Sequence, residues 1–330
     1  MLPAPISLPK RRQFSRENSL ASARIHYANL FRSRSRLTNL AVFLLSGLCF
    51  ISIIVNLYFI GLNNGNITPP VMLSSIIRDP NLENLDHMVM VPGHAIWIGT
   101  DANLRTNDDQ WTLEPYQMGG NRVQAFFEHI AKGVGLSLKD PRSLLVFSGG
   151  QTRASSTITE AQSYLRLAIT AGLFNNSTAH PLRATTENYA LDSYQNLLFS
   201  IARFREYTGR FPSKITIVGY DFKRARFTDL HRAALHWPRS KFHYIGVDPQ
   251  DHGNHDAEAG ELQNGYKPYS RDLYGCHSNL QAKRRQRNVH TRFHPYYTSC
   301  PELQALLNWC PSPSDNADEE ALFSGSLPWN

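Results

Sequence analysis

The sequence predicts an α/β domain, with a mainly parallel sheet between two layers of helices, that follows a single transmembrane helix. Between residues 87 and 247, short apolar runs alternate with longer amphipathic stretches. This alternation is typical of a parallel sheet with helices on both faces. An uncharged apolar stretch of membrane-spanning length precedes it, over 37–62. A chain of 330 residues that is 42% hydrophobic and 18% charged can bury a core, which excludes a disordered protein.

The spacing of the apolar residues predicts each element. Four short apolar runs are candidate strands: 87–91, 143–147, 214–219 and 242–247. Four amphipathic stretches are candidate helices: roughly 119–133, 157–173, 187–207 and 222–237. The chain is thereby divided into a basic tail (1–36), a transmembrane helix (37–62), a stalk (63–80), an α/β domain (81–310) with a C-terminal extension from about residue 250, and a solvated, flexible tail (311–330).

The net charge of +7 is confined to the N-terminal tail. Residues 1–36 hold eight Lys and Arg side chains and a single acid, Glu17, whereas the remaining residues hold 26 basic and 26 acidic side chains. A protein that binds nucleic acid over its body carries a basic face. The neutral body therefore excludes a global nucleic-acid footprint, and we expect no nucleic-acid partner.

The apolar stretch from Leu37 to Leu62 predicts a membrane anchor. As a helix, its 26 residues would measure about 39 Å, which exceeds the roughly 30 Å of a bilayer's hydrocarbon core. The alternative is a cleaved signal peptide. The length of the stretch, the 36 residues before it and the lack of a small-x-small cleavage site favour a retained anchor, with the lipid bilayer as partner.

The flanking charges predict a type II topology. Arginines that include Arg11, Arg12, Arg32, Arg34 and Arg36 precede the span, and no charge follows it before Arg78, which places the N-terminus in the cytosol by the positive-inside rule. The body would then face the lumen of the ER or Golgi, or the cell exterior, where the sequons at Asn66, Asn175 and Asn176 could be glycosylated. The alternative is the mitochondrial inner membrane, because the tail is rich in Arg and Ser and poor in acids.

Cysteine usage permits one disulfide in the body. Cys49 lies in the apolar stretch, while Cys276, Cys300 and Cys310 follow the α/β region. No CxxC pair or zinc-type spacing is present. In an oxidising lumen we expect Cys276 to pair with Cys300 or Cys310, and the sequence leaves the choice open.

Candidate ligand-binding residues follow the first two predicted strands. In a doubly wound sheet, ligands bind beyond the carboxyl ends of the strands. The residues at these two ends are Gly93, His94, Ser148, Gly149, Gly150 and Arg153. Glycines directly after a strand allow backbone amides to approach a ligand, and Arg153 adds a charge that suits phosphate or carboxylate. A plain tight turn is the alternative explanation of the glycines.

Two predicted helix starts carry acidic groups. Thr157 and Glu160 have the spacing of a capping box, in which both side chains satisfy backbone amides. Glu187 and Asn188 stand at the predicted start of the long helix over 187–207. Their grouping suits acid/base or ligand-binding chemistry, and ordinary solvated helix polarity is the alternative.

Three cations stand where the third predicted strand gives way to a helix: Lys223, Arg224 and Arg226. Cations at a helix N-terminus oppose the helix dipole, which costs helix stability. A bound anion would offset that cost. The alternative is that these long side chains extend over the surface.

The order of these motifs resembles the SanA/YdcF-like family, also called "domain of unknown function 218", in its fungal membrane-anchored form. The resemblance spans about residues 87–247 and rests on Gly149-Gly150, Glu160-Ala161, Glu187-Asn188 and Arg224-Ala225 in that order. It implies a Rossmann-like domain, often membrane-anchored, whose bacterial members are linked to cell-envelope biogenesis. The family commonly has a histidine three residues before the Arg-Ala pair, where this chain has Asp221.

Together these features predict a membrane-anchored protein that binds an anionic, phosphorylated or nucleotide-like small molecule. An enzyme of this kind would carry out phosphoryl or glycosyl transfer or hydrolysis, with His94, Glu187 and Asp221 as the catalytic candidates. The expected ligand-binding residues are Gly93, Ser148, Gly149, Gly150, Arg153, Glu160, Asn188, Arg224 and Arg226. The cofactor is unknown, and we expect no metal, since the spacing of Asp251, His252, His255 and Asp256 fits no known metal site. The alternative functions are a non-catalytic binding module and a membrane tether.

Overall fold

The chain divides into two units, Met1–Ile67 and Thr68–Asn330. The computed structural model describes residues 39–60, 75–175, 182–249, 254–311 and 322–330, apart from the side chains of 254–256. In the first unit the described part is one helix, α1 (Asn39–Ile60), which is long and apolar enough to cross a membrane. The predicted basic tail, the sequon at Asn66 and most of the predicted stalk lie outside the described residues.

The second unit holds the sheet. Its strands are β1 (His87–Pro92), β2 (Ile96–Trp97), β3 (Trp111–Thr112), β4 (Ser143–Ser148), β5 (Ala184–Glu187), β6 (Lys214–Gly219) and β7 (Phe242–Gly246). Its helices are α2 (Arg122–Lys139), α3 (Glu160–Thr170), α4 (Ser193–Thr208), α5 (Arg232–Ala234), α6 (Asn254–Glu261), α7 (Lys267–Arg271), α8 (Ser278–Arg287), α9 (Tyr296–Ser299) and α10 (Gln304–Leu307).

Five of the strands form one parallel sheet in the order β5-β4-β1-β6-β7. Counted along the chain, this order is 3-2-1-4-5, which is that of the doubly wound Rossmann sheet. The strand order reverses between β1 and β6, and β2 pairs with β3 in a separate antiparallel ribbon. The predicted α/β fold with a mainly parallel sheet and a preceding apolar helix is confirmed.

Both faces of the sheet are covered, as continuous apolar strands require. In β1, Met88 and Met90 pack into a core shared with α4 and the C-terminal extension, whereas Val89 and Val91 pack into a second core shared with α2 and α3. All four side chains are fully buried. The carboxyl end of the sheet is therefore left as the open edge, where its loops meet.

One strand of the main sheet, β5, is not among the strands that the sequence predicts. The stretch around Glu187 was expected to begin a long helix, whereas Ala184–Glu187 is the edge strand β5, paired with β4, and α4 begins only at Ser193 with Asp192 as its N-cap. The run Ala-Thr-Thr-Glu is short and polar, so its periodicity carries no strand signal. Sheet pairing, which is a tertiary property, decides its conformation.

The expected helix over 222–237 is also different in form. The chain makes a 3₁₀ turn at Asp221–Lys223, then a π-helical turn at Arg226–His231 that continues into α5. A second π-helical turn lies at Leu262–Tyr266, between α6 and α7. Such turns are rare and occur frequently at functional sites.

The C-terminal extension is cross-linked within itself by a disulfide and packs against the sheet domain. A disulfide joins Cys276 to Cys310, which resolves the choice left open by the sequence, and Cys300 is a buried free thiol. The expected solvated tail over 311–330 is wrong for its last residues. Phe323 and Leu327 are 5% and 3% exposed in the core beside α4, and Trp329 packs against the same core. These side chains are buried because they meet an apolar surface that the sequence does not reveal.

Candidate functional site

A cavity of about 1000 Å³ lies at the carboxyl edge of the sheet. Its walls come from the residues after β1, β4, β5 and β6, and from α6 and α8 of the C-terminal extension. The cavity lies beyond the strand ends, where the sequence predicts a ligand site, and the strand-order reversal between β1 and β6 lies at the same edge.

Some of the predicted site residues line this cavity: Gly93, His94, Arg153, Glu160 and Arg226. The others do not: Ser148, Gly149, Gly150, Glu187, Asn188, Asp221 and Arg224. The expectation that the Gly149-Gly150 pair and Arg224 meet in one hollow is thus wrong as stated. Residues close to them in the sequence, such as Arg153 and Arg226, line the cavity instead.

Gly149 and Gly150 serve packing rather than ligand contact. The Gly149 amide donates to the carbonyl of Glu187, and the Gly150 amide donates to the carbonyl of Ala190. A Cβ on Gly150 would lie 2.6 Å from the Ala190 carbonyl oxygen, and one on Gly149 would lie 2.8 Å from a Glu160 carboxylate oxygen. The glycines allow the loops after β4 and β5 to pack at close range, which leaves their amides unavailable to a ligand.

Glu160 faces the cavity and does not close a capping box. The cap of α3 is Thr159, whose hydroxyl accepts from the Gln162 amide and donates to the Asn188 side chain at 2.7 Å. The Glu160 carboxylate accepts from the Thr152 hydroxyl at 2.6 Å. The cap thus lies two residues later than predicted, so Glu160 is in the first turn of α3, where it lines the cavity.

Glu187 is the structural centre of the loop after β5. Its carboxylate is fully buried and accepts from the Ser148 hydroxyl, the Tyr189 and Ala190 amides and the Tyr296 hydroxyl. Burial raises the pKa of Glu187 to about 7 in spite of these donors. Because it does not reach the cavity, the predicted acid/base role has no geometric support, and Glu187 instead ties β4, β5 and the extension together.

Asp221 and Arg224 face solvent on the outer side of the turn after β6. Their side chains pair with each other, and the Arg224 guanidinium also donates to the Tyr244 carbonyl at 2.6 Å. Both side chains are exposed. The predicted catalytic role of Asp221 and the ligand role of Arg224 therefore lack a cavity to act in.

The cavity wall carries a cation cluster that we define as Lys223, Arg226, Lys283 and Arg287. Lys223 follows β6, Arg226 begins the first π-helical turn, and the other two lie one turn apart on α8, hence on one face of it. Arg226 makes two hydrogen bonds to Glu261, at 2.6 and 2.8 Å. Among the described residues, no carboxylate pairs with Lys223, Lys283 or Arg287.

This crowding changes the ionisation of both lysines. Burial, followed by the charges of Arg226, Arg287 and Lys283 and opposed by Glu261, lowers the pKa of Lys223 to about 7. Burial, followed by Arg287 and Arg226, lowers the pKa of Lys283 to about 8. The charged forms of these amines are therefore unfavourable in the empty cavity.

Sequence reasoning missed Lys283 and Arg287, and selected Arg224 where Lys223 lines the cavity. The signal available for the α8 pair was the i, i+4 spacing inside the basic run 283–287. From the sequence alone, that run is typical of a solvated helix face. In the structure, Arg284 on the neighbouring face pairs with Asp192 at the cap of α4. This buried ion pair turns Lys283 and Arg287 toward the cavity.

His94 is held at the cavity between aromatic rings. Its ring stacks on Tyr220 with centroids 5.1 Å apart, and its Nδ1 lies 3.5 Å from the Lys223 amine. Burial, then the charge of Lys223, keeps the pKa of His94 well below its usual value. Its Nε2 has no hydrogen-bond partner among the described residues. His94 therefore offers a neutral imidazole to a ligand.

Metal-ligand side chains come together at one place in the described part of the chain, away from the cavity. Cys276, His277 and Cys310 place their ligand atoms within 4.8 Å of one another, but both sulfurs belong to the disulfide. The side chains of Asp251, His252, His255 and Asp256 lie outside the described residues.

Comparison with known proteins gives a relationship without a function. No family model matches the chain, and no solved structure matches it. The uncharacterized protein YOR238W of Saccharomyces cerevisiae is 31% identical to it over 259 residues, which cover 63% of this chain and 86% of the yeast protein. The chain belongs to the family of this yeast protein. Because that relative is uncharacterized, membership in the family assigns no ligand, reaction or partner.

The close packing after β4 predicts opposite effects of two glycine substitutions. Gly150→Ala should destabilise the chain by about 1–3 kcal/mol, since the new methyl group meets the Ala190 backbone. Gly135→Ala, on α2 with open space around the site, should stabilise it by about 0.5–1 kcal/mol. Denaturant unfolding measures both, and equal stability of the two variants would contradict the packing role.

Proposed function

We propose that this chain is a membrane-anchored protein whose Rossmann-like domain binds a phosphorylated or nucleotide-like small molecule in the cavity at the carboxyl edge of the sheet. Hydrolysis or transfer of a phosphoryl or glycosyl group, in glycan or cell-envelope metabolism, is the reaction class that suits such a ligand. Membership in the SanA/YdcF-like family is part of the same proposal. It is supported by the motif order and by the Rossmann strand order.

The cation cluster carries the proposal. Three of its four members have no carboxylate partner among the described residues, and burial, together with the charges of the neighbouring cations, lowers the pKa of both lysines. Repulsion of this kind lowers the free energy of unfolding. A pair such as Arg226 and Glu261 offsets this loss, because a carboxylate neutralises the cation. A bound phosphate would supply the missing negative charge and accept several hydrogen bonds from the same wall.

Aromatic side chains beside the cluster suit a nucleotide-like ligand. Phe222 and Tyr116 line the cavity, and the Tyr116 ring is 66% exposed. A large exposed ring at the mouth of a cavity can stack against a planar base. Glu160 and the neutral His94 add an acceptor and an imidazole within the same cavity.

Three observations support a membrane anchor with a luminal body. Helix α1 has the length and composition of a membrane span. The Cys276–Cys310 disulfide is of the kind that forms in oxidising compartments such as the ER lumen and the cell exterior. The positive charge of the tail before α1 favours a cytosolic N-terminus.

Removal of the Lys223 charge should weaken anion binding and, at the same time, raise the stability of the protein without ligand. In full-length chain in detergent, pyrophosphate at 100 times its dissociation constant should stabilise the native state by about 2.7 kcal/mol. Lys223→Met should weaken pyrophosphate binding by about tenfold or more, because one charged hydrogen bond is lost. The same variant should melt at a higher temperature without ligand at pH 6, where the unfavourable charged form of Lys223 is fully populated.

Arg224→Met is the matched control for this variant. It removes a neighbouring cation that lies outside the cavity and pairs with Asp221, so its pyrophosphate affinity should equal that of the unmodified chain. Thermal-shift titration gives both affinities. Equal losses in the two variants, or no stabilisation by pyrophosphate, would refute the proposed site.

Anion affinity should fall as the pH rises. Sulfate is the suitable probe, since it does not titrate near neutrality. With a pKa of about 7 in the empty cavity, Lys223 must take up a proton to bind an anion above that pH, so the dissociation constant should rise about tenfold from pH 6 to pH 8. Calorimetry at pH 8 in buffers of different ionisation enthalpy should detect proton uptake on binding. A pH-independent affinity would contradict the role of Lys223.

A luminal body predicts N-glycosylation at the turn after α3. Asn175 is exposed there, and it begins the overlapping sequons that include Asn176. Chain produced in eukaryotic cells should shift in mobility on treatment with a peptide N-glycosidase, and combined Asn66→Gln, Asn175→Gln and Asn176→Gln substitutions should abolish the shift. Digestion of the body by protease added outside sealed microsomes would refute the luminal topology.

A further inference from the structure

Ser193, the first residue of α4, lines the cavity and makes two contacts that could activate its hydroxyl. Its Oγ lies 2.8 Å from the Nε2 atom of His231 and accepts a hydrogen bond from the Arg226 guanidinium at 2.7 Å. Ser193 is half-buried and lines the cavity, whereas His231 is fully buried behind it. The Ser193 hydroxyl thus lies between the buried His231 imidazole and the cavity.

The first π-helical turn creates this arrangement. Arg226 and His231 are its first and last residues, and both reach the same Ser193 oxygen. Glu261 fixes the guanidinium through two hydrogen bonds. An ordinary helical turn has a different angular spacing between positions i and i+5, so the π geometry is what allows both residues to meet Ser193.

The imidazole is in a form that can accept a proton. Its ring packs edge-on against Tyr269 at 4.5 Å, and also contacts Phe227 and Tyr194. Burial and the charge of Arg226 keep the pKa of His231 well below its usual value, with a further lowering by Arg284 and an opposing effect of Asp192. Its Nδ1 has no partner among the described residues, so packing, rather than a third polar group, orients the ring.

We propose that Ser193 is a nucleophile and His231 its general base, and that the pair transfers a phosphoryl group from a phosphate ester or anhydride held by the cation cluster. This inference rests on the proposed function and specifies its chemistry. A hydroxyl hydrogen-bonded to a neutral imidazole within 2.6–3.2 Å is the arrangement that activates a nucleophile of this type. Arg226 stabilises the negative charge that develops as the hydroxyl proton leaves.

The steps balance within the site. The Ser193 Oγ forms a bond to phosphorus while its proton moves to His231 Nε2, and the bond from phosphorus to the leaving oxygen breaks. The leaving oxygen departs as an anion beside the cation cluster and takes its proton from water in the cavity. Water then attacks the phosphoserine and gives up a proton to the solvent, while the imidazolium returns its proton to the departing Ser193 Oγ.

A fluorophosphonate tests the pair without knowledge of the natural substrate. In this probe reaction the Ser193 Oγ bonds to phosphorus, fluoride leaves and the proton passes to His231. We expect a single adduct on the peptide that contains Ser193, identified by mass spectrometry of full-length chain in detergent. Ser193→Ala should abolish this adduct, and His231→Gln, which can still hydrogen-bond but is not a base, should slow its formation by about 100-fold.

Ser200→Ala is the matched control, since Ser200 is buried on the same helix and does not line the cavity; labelling should be unchanged. Ser193→Ala should still bind pyrophosphate, because the cation cluster is intact and Asp192, not Ser193, caps α4. Pyrophosphate binding without an adduct, or an adduct that forms equally fast in His231→Gln, would overturn the inference while the anion site stands. Failure of both measurements would overturn both proposals.

Discussion

Repulsion among the cations on one partly buried wall is the constraint on which the site depends. Lys223, Lys283 and Arg287 share that wall with Arg226, and of these four only Arg226 has a carboxylate partner among the described residues. Burial, together with the closeness of these cations, lowers the pKa of both lysines and makes the cavity an unfavourable place for their charge. The proposed anion would relieve this repulsion, so binding and ionisation are linked.

Ion pairs and hydrogen bonds among the polar groups behind the wall hold it in place. Arg284 binds Asp192 and so couples α8 to the start of α4, while Glu261 holds Arg226 against Ser193. Glu187, which accepts from four donors, fixes the loop that leads to α4. Buried hydrogen-bond networks give rigidity, which a precise site requires. Ser193 is consequently oriented by His231 from behind and by Arg226 from the cavity wall.

The C-terminal extension is part of the site. It provides α6 and α8 on the cavity wall, and it contributes Tyr296 to the Glu187 network. The disulfide between Cys276 and Cys310 closes the extension on itself, and the burial of Phe323 and Leu327 attaches it to the face of the sheet that carries α4. A Rossmann sheet alone would present only Lys223 and Arg226 of the cation cluster, so the extension distinguishes this chain from a bare doubly wound domain.

Sequence periodicity alone determined the apolar helix, four of the five strands in the main sheet and the position of the site at their carboxyl ends, since these features depend on local pattern and on the topology that the pattern implies. It could not determine β5, whose polar residues become a strand only by pairing with β4, nor the direction in which each charged side chain points. Lys223 and Arg224 are adjacent in the chain, yet one lines the cavity and the other faces solvent. Ser193 and His231 are 38 residues apart and meet only through the π-helical turn. Contacts of this kind depend on how the elements pack, and no local pattern encodes them.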